Sequence, residues 1–208
     1  MHPNPIYRKT SRDRNMAFAH HRSFGMLSIN DPDGPLNAHI PFVLSKDGTR
    51  LDAHILASNP IWRALETPQP AVIAITGPDG YISPDWYGID DQVPTWNYIA
   101  VHLRGTLSRL DQSSLRPHLE QLSAQFETRL LPKPVWTIEK VTSETLERFE
   151  RMIRPISVEV TDIESTWKLN QNKTDAARLG AADAVTNSQI GSDLGDLADL
   201  MRHPPNDS

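Results

Sequence analysis

In the stretch from Val93 to Leu107 the residues alternate with a period of two from Asn97 onward. Ile99, Val101, Leu103 and Leu107 fall on one face; Tyr98, His102, Arg104 and Thr106 fall on the other. Only an extended chain puts every second side chain on one side, so this stretch predicts a long strand with one buried and one functionalised face. Pro94 fixes its own backbone and pushes Val93 towards an extended conformation. The strand is therefore entered from a polar, aromatic loop of Thr95, Trp96 and Asn97. Loops held by a rigid strand often bind ligands. A strand edged by one packed tryptophan accounts for the same pattern.

Other segments share the period. Phe24 to Ile29 reads as a strand closed by Asn30-Asp31-Pro32-Asp33-Gly34. Leu36 to Val43 and Leu51 to Leu56 read as a hairpin with Asp47-Gly48 at its tip. That tip sets His54 opposite Pro41 and leaves His39 a diagonal neighbour roughly 7 Å away on the same side. Two histidines then share a patch opposite the apolar face of Leu36, Ile40, Phe42, Leu51 and Ile55. Solvated polar-face histidines give the same pattern. Ala71 to Thr76 is a further strand, and Gly77-Pro78-Asp79-Gly80 reads as a turn into the aromatic segment Tyr81 to Tyr87. Ile156, Val158 and Val160 alternate in another strand.

Helices are marked by caps. Ser11 opens one through His21, and Asn59-Pro60 opens a short one. Asp111 or Ser113 caps a helix carrying Leu115, Leu119, Leu122, Phe126 and Leu130, and Thr142 or Ser143 caps one through Ile153. A last helix begins near Thr174. The expected fold is mainly β with α, an antiparallel barrel with helical attachments over residues 1–186. Residues 187–208 form a tail with a weak amphipathic helix (Leu194, Leu197, Leu200, Met201), mobile or loosely docked.

The absence of cysteine excludes disulfides, thiolate metal sites and a catalytic thiol. No apolar run approaches the length of a membrane span and the N-terminus lacks the order of a secretory signal, so the cytoplasm is the default location. The formal charge of −5 opposes the basic surface usual in nucleic-acid binders. Arg8, Lys9, Arg12, Arg14 and Arg22 do gather near the start, where a phosphate contact and a solvated helix face are both open readings. No Walker A loop, Gly-x-Gly-x-x-Gly, Gly-x-Ser-x-Gly or His-Glu-x-x-His occurs, and no metal site is expected. A flat, phosphorylated aromatic cofactor stays compatible, since it needs aromatic walls, a few donors, and Arg, Lys or helix-end amides for its phosphate.

Five stretches in register resemble a known family: Ala38-His39-Ile40-Pro41-Phe42; His54 with Asn59-Pro60-x-Trp62-Arg63; Gly77-Pro78 through Tyr81-Ile82-Ser83-Pro84-x-Trp86-Tyr87; Val93-Pro94-Thr95-Trp96-Asn97-Tyr98 with Val101-His102; and Lys168-Leu169-x-Gln171-Asn172. They are similar to the PaiB family of FMN-binding negative transcriptional regulators. The resemblance implies an FMN-binding split β-barrel, Greek-key-like, and a homodimer with the flavin in the subunit seam. Carried over position by position, it implies a cofactor site of His39, Pro41, His54, Asn59, Arg63, Ser83, Trp86, Thr95, Trp96, Asn97, Lys168, Gln171 and Asn172. The chain departs from the pattern at Ala57, where a basic residue suited to phosphate is frequent, and at Asn170 and Lys173. Lys168, Lys173 and Arg63 are the cations left to take the phosphate. Two functions follow as expectations. One is a regulator acting on transcription through DNA or a regulatory protein partner. The other is an oxidoreductase in which FMN takes electrons from a nicotinamide, or a haem-handling relative using His39, His54 or His102.

Overall fold

The computed structural model describes residues 1–205. Its strands are β1 (Phe24–Ile29), β2 (Leu36–Leu44), β3 (Arg50–Leu56), β4 (Gln69–Ile82), β5 (Thr95–Arg109), β6 (Ile153–Lys168) and β7 (Gly191–Ser192). Its helices are α1 (Arg12–Arg22), α2 (Pro60–Ala64), α3 (Leu115–Glu127), α4 (Ser143–Met152), α5 (Asp175–Val185) and α6 (Leu194–Arg202). The strand order is β1-β2-β3-β6-β5-β4-β7, and β1 also pairs with β4. That extra antiparallel pairing closes six strands into a barrel and removes their free edges. The architecture is a split β-barrel with peripheral helices. None of the described helices is long and apolar enough to cross a membrane.

The chain forms two compact units. The first, here the barrel unit, comprises residues 16–74 and 103–163. The second, the helical unit, comprises residues 1–15, 75–102 and everything from Glu164 on. Strands β4, β5 and β6 each contribute to both.

In the barrel unit the predicted alternation sets the core. Ile40, Phe42, Leu51, Ala53 and Ile55 are buried, while Arg50, Asp52 and His54 lie on the other side of β3. Phe42 pairs with Ala53, Val43 with Asp52 and Leu44 with Leu51, which is the register expected from an Asp-Gly tip. Gly48 takes a φ of 71° there, a conformation glycine adopts without steric cost. Each fully buried Leu, Ile or Phe contributes about 1.5–3 kcal/mol through removal from water. Gly105 lets β5 approach β6 closely: a Cβ at that position would stand 1.9 Å from the Glu159 carbonyl oxygen. Helix α3 buries Leu115 and Leu122 but ends at Glu127, so Leu130, expected to extend its stripe, is exposed. Ile153, expected to finish α4, instead begins β6 opposite Leu56.

In the helical unit two stretches expected as irregular are strands. Gly77-Pro78-Asp79-Gly80 does not turn but continues β4, where Asp79 pairs with Ser192 and Gly80 with Gly191 of β7. A remote partner strand here outweighs local turn propensity. Gly80 also makes room for α6, since a Cβ would meet Leu194 and Leu197 at 2.9 Å. Thr95, Trp96 and Asn97 are the first residues of β5 rather than a loop. Helix α5 is capped by Thr174, whose hydroxyl accepts from the Ala177 amide, and it buries Ala177, Ala181, Ala182 and Val185. The expected tail supplies α6, whose Leu197, Ala198 and Met201 are buried. Arg178 on α5 donates to the carbonyls of Met201 and Arg202, satisfying groups left open at the end of α6. Residues 206–208, the end of that tail, lie outside the described residues.

Candidate functional site

Seven of the residues singled out from the sequence line two cavities, one within each unit. In the barrel unit His39, Pro41, His54 and Asn59 line a cavity of 300 Å³. Pro41 and His54 are the next residues beyond the Phe42–Ala53 pair of the hairpin, and both line this cavity. Phe24 pairs with Pro41 and its ring stacks near His39 at 6.2 Å between centroids. Asn59 has a local role as well: its side-chain oxygen accepts from the Ile61 amide and starts α2. Ala57 is half-buried and its amide donates to the Met152 carbonyl at 2.8 Å. Arg63 is exposed and does not line this cavity.

His54 has a partner that the sequence did not reveal. Its Nδ1 lies 3.1 Å from Nε2 of His118 on α3, with the rings edge to face. Burial lowers the His54 pKa below the ordinary histidine value. Burial, and secondarily the His54 charge, lowers that of His118 to about 4. At neutral pH both rings are uncharged.

In the helical unit Thr95, Lys168 and Asn172 line a cavity of 200 Å³ with Tyr87, Asn170 and Lys173. Lys168 stands at the end of β6 and donates to the Thr95 hydroxyl at the start of β5. Partial burial lowers its pKa, because desolvation disfavours the ammonium. Lys173 donates to the Gln92 side chain and stands 4.8 Å from the centre of the Tyr87 ring. Asn170 is buried in the left-handed region with φ 62°, and its side-chain oxygen accepts from the Tyr87 hydroxyl at 3.4 Å. Its amide nitrogen has no protein partner. His2 also lines the cavity, its pKa lowered by burial and then by the Lys168 charge.

The remaining expected residues line neither cavity. Gln171 accepts from the Leu169 amide at 2.8 Å and donates to the Trp167 carbonyl at 2.6 Å, so it shapes the turn that presents Lys168 and Asn170. Ser83 precedes the one-turn helix Pro84–Tyr87 and makes no side-chain cap. The Trp86 carbonyl packs so closely on Gly180 that a Cβ there would stand 2.9 Å away. Trp96 is half exposed and meets Tyr81 edge-on at 6.4 Å. Asn97 lies on the buried face of β5, fully enclosed, with neither amide atom hydrogen-bonded. Buried amides are nearly always paired, so this one marks an unusual position.

A mononucleotide's phosphate requires cations and neutral donors, and the helical-unit cavity offers both: two ammonium groups, a hydroxyl and an unpartnered buried amide. At 200 Å³ it suits a phosphate and the adjoining chain rather than a whole drug-sized ligand, for which pockets of roughly 300–1,000 Å³ are usual. The donor chemistry fits FMN.

Comparison with known proteins decides the family. The model of the "Putative FMN-binding domain" family matches residues 1–162. The chain belongs to that family. FMN is therefore the cofactor of this domain class. Protease synthase and sporulation protein PAI 2 of Bacillus subtilis is 27% identical over 197 residues. That alignment covers 94% of this chain and 93% of the relative. It takes in Lys168 to Lys173, which lie beyond the family match. Among solved structures, the FAD and heme binding protein of Mycobacterium smegmatis superposes with a TM-score of 0.55 at 18% identity, over 78% of this chain and 73% of that one. The flavocytochrome Anf3 of Azotobacter vinelandii does so with a TM-score of 0.58 at 14% identity, over 81% and 72%. These likenesses establish the fold that the two proteins share with this chain.

Proposed function

We infer that the chain is an FMN-binding regulator of the PaiB type that acts as a homodimer, with the FMN phosphate held by Lys168, Lys173 and Thr95. The observation that carries the cofactor half is the cavity of the helical unit. There Lys168 is drawn partly out of water against Thr95, and the buried Asn170 amide points to no protein acceptor. The Asn170 amide lacks an acceptor that a phosphate oxygen supplies, and the Lys168 ammonium has N–H donors beyond the one given to Thr95; charge-assisted bonds of this kind are the stronger class. Asn172 and Tyr87 complete the rim, and Gln171 keeps the turn in shape. When bound, FMN supplies reversible electron-accepting chemistry. The chain's own groups bind and orient it. The regulatory half rests on the likeness to the sporulation protein over nearly the full length of both chains.

The test is a fluorescence titration of the full chain with FMN, repeated on Lys168→Ala. Losing one charge-assisted contact should weaken FMN on the order of 10- to 100-fold. Equal affinity in both proteins would remove Lys168 from the site. Adding NADH to the loaded protein separates the two activities: an unbleached flavin together with salt-sensitive retention of a promoter fragment supports the regulator, and bleaching supports the oxidoreductase. Sedimentation of the same sample tests the dimer.

A further inference from the structure

We propose that His118 is a positioning residue that fixes the tautomer of His54, so that the barrel-unit cavity presents one N–H donor to an uncharged acceptor on its ligand. Two neutral imidazoles whose nitrogens lie 3.1 Å apart share a single proton between them. Either His54 donates from Nδ1 or His118 donates from Nε2. The second nitrogen of His118 decides which. Its Nδ1 is buried and has no hydrogen-bond partner. A buried N–H left unpaired is rarer and costlier than an unpaired acceptor lone pair. The proton of His118 therefore resides on Nε2 and is donated to His54 Nδ1. His54 must then carry its own proton on Nε2, the only ring nitrogen it has left for the cavity that it lines.

The surroundings keep the pair neutral. Burial lowers the pKa of both rings. The one charged group acting to protonate His118 is Asp52, and it is engaged by the Arg50 guanidinium at 2.8 Å. Apart from its two histidines, the cavity is lined by Asn59 and apolar residues such as Ile40, Ile55 and Leu56, with no carboxylate, Lys or Arg among the described lining residues. Such a wall disfavours an ionic group and favours a carbonyl or pyridine-type nitrogen on a flat ring. A flavin ring has such acceptors. The choice of flavin as occupant rests on the function proposed above; the tautomer does not.

Long-range proton–nitrogen correlation spectra of the full chain at neutral pH read the tautomers directly, with His54→Gln and His118→Gln assigning the signals. Both rings are expected to carry their proton on Nε2. A proton on Nδ1 of His54 would overturn the proposal. Riboflavin then serves as probe, because it keeps the ring acceptors and lacks the phosphate. It should shift the His54 Nε2 signal and bind about five- to tenfold more weakly to His118→Phe, the equivalent of one neutral hydrogen bond. His118→Gln, whose amide can replace the Nε2 donor, should restore affinity and guards against a misfolded Phe variant. Riboflavin that leaves the His54 signal unmoved would rule out the flavin ring as occupant. Loss of FMN binding in Lys168→Ala with the His54 tautomer intact separates the two sites. If instead Lys168→Ala keeps its FMN affinity, the phosphate assignment fails while the tautomer inference stands on its own spectra.

Discussion

The two cavities offer opposite chemistry. The one in the helical unit holds two ammonium groups at its wall, with a hydroxyl and an amide beside them. The one in the barrel unit holds two imidazoles among apolar side chains, one of them tied to a third ring behind it. In the function proposed above the first recognises charge, and in the further inference the second recognises shape and a single hydrogen bond. FMN and riboflavin differ only in the phosphate, so the pair probes each cavity by itself.

The sharpest way to break this contrast is to remove both cations. Lys168→Ala with Lys173→Ala should reduce FMN affinity on the order of 100-fold or more while riboflavin changes little, as measured by calorimetry with each ligand. Equal losses for the two ligands would show that charge is not what distinguishes the cavities. A smaller effect should appear with acid. His118 titrates near 4 in the fold and near 6.5 when unfolded, so the unfolded chain binds the proton first as the pH falls. Stability is then lost progressively from about pH 6.5 down to about 4 and is level in this respect below that. The loss is on the order of 1–3 kcal/mol, and the lowered pKa of His54 acts in the same direction. Urea unfolding at pH 7 and pH 4.5 measures it, and His118→Gln should flatten the difference. The smallest effect belongs to Tyr87→Phe. Its bond to Asn170 is long at 3.4 Å, so FMN affinity should change by less than about 1 kcal/mol. A larger drop would make the tyrosine hydroxyl a ligand contact in its own right.

Much of the barrel was legible because strand periodicity and turn chemistry are local. The alternation of β5 sets its faces and the Asp47-Gly48 tip sets the hairpin register, and these local signals suffice to put His39, Pro41 and His54 on one patch. Features that depend on distant partners were not. His118 sits 64 residues from His54, and no pattern within α3 says which strand its polar position will meet. The Gly-Pro-Asp-Gly of β4 has every local mark of a turn, yet it is extended between neighbouring strands, with Asp79 and Gly80 paired to β7. Asn97 reads from the sequence as part of a polar loop, yet the same alternation that buries Ile99 and Val101 buries it as well. Extending the period two residues towards Thr95 would have found it.

Gly105 carries a lesson for anyone ranking positions by invariance. Its backbone leaves no room for even a methyl group beside the Glu159 carbonyl. A column of unbroken glycine at this point in an alignment would record the spacing of two neighbouring strands, and an invariance score would rank it beside residues that meet a ligand, although its requirement is purely geometric.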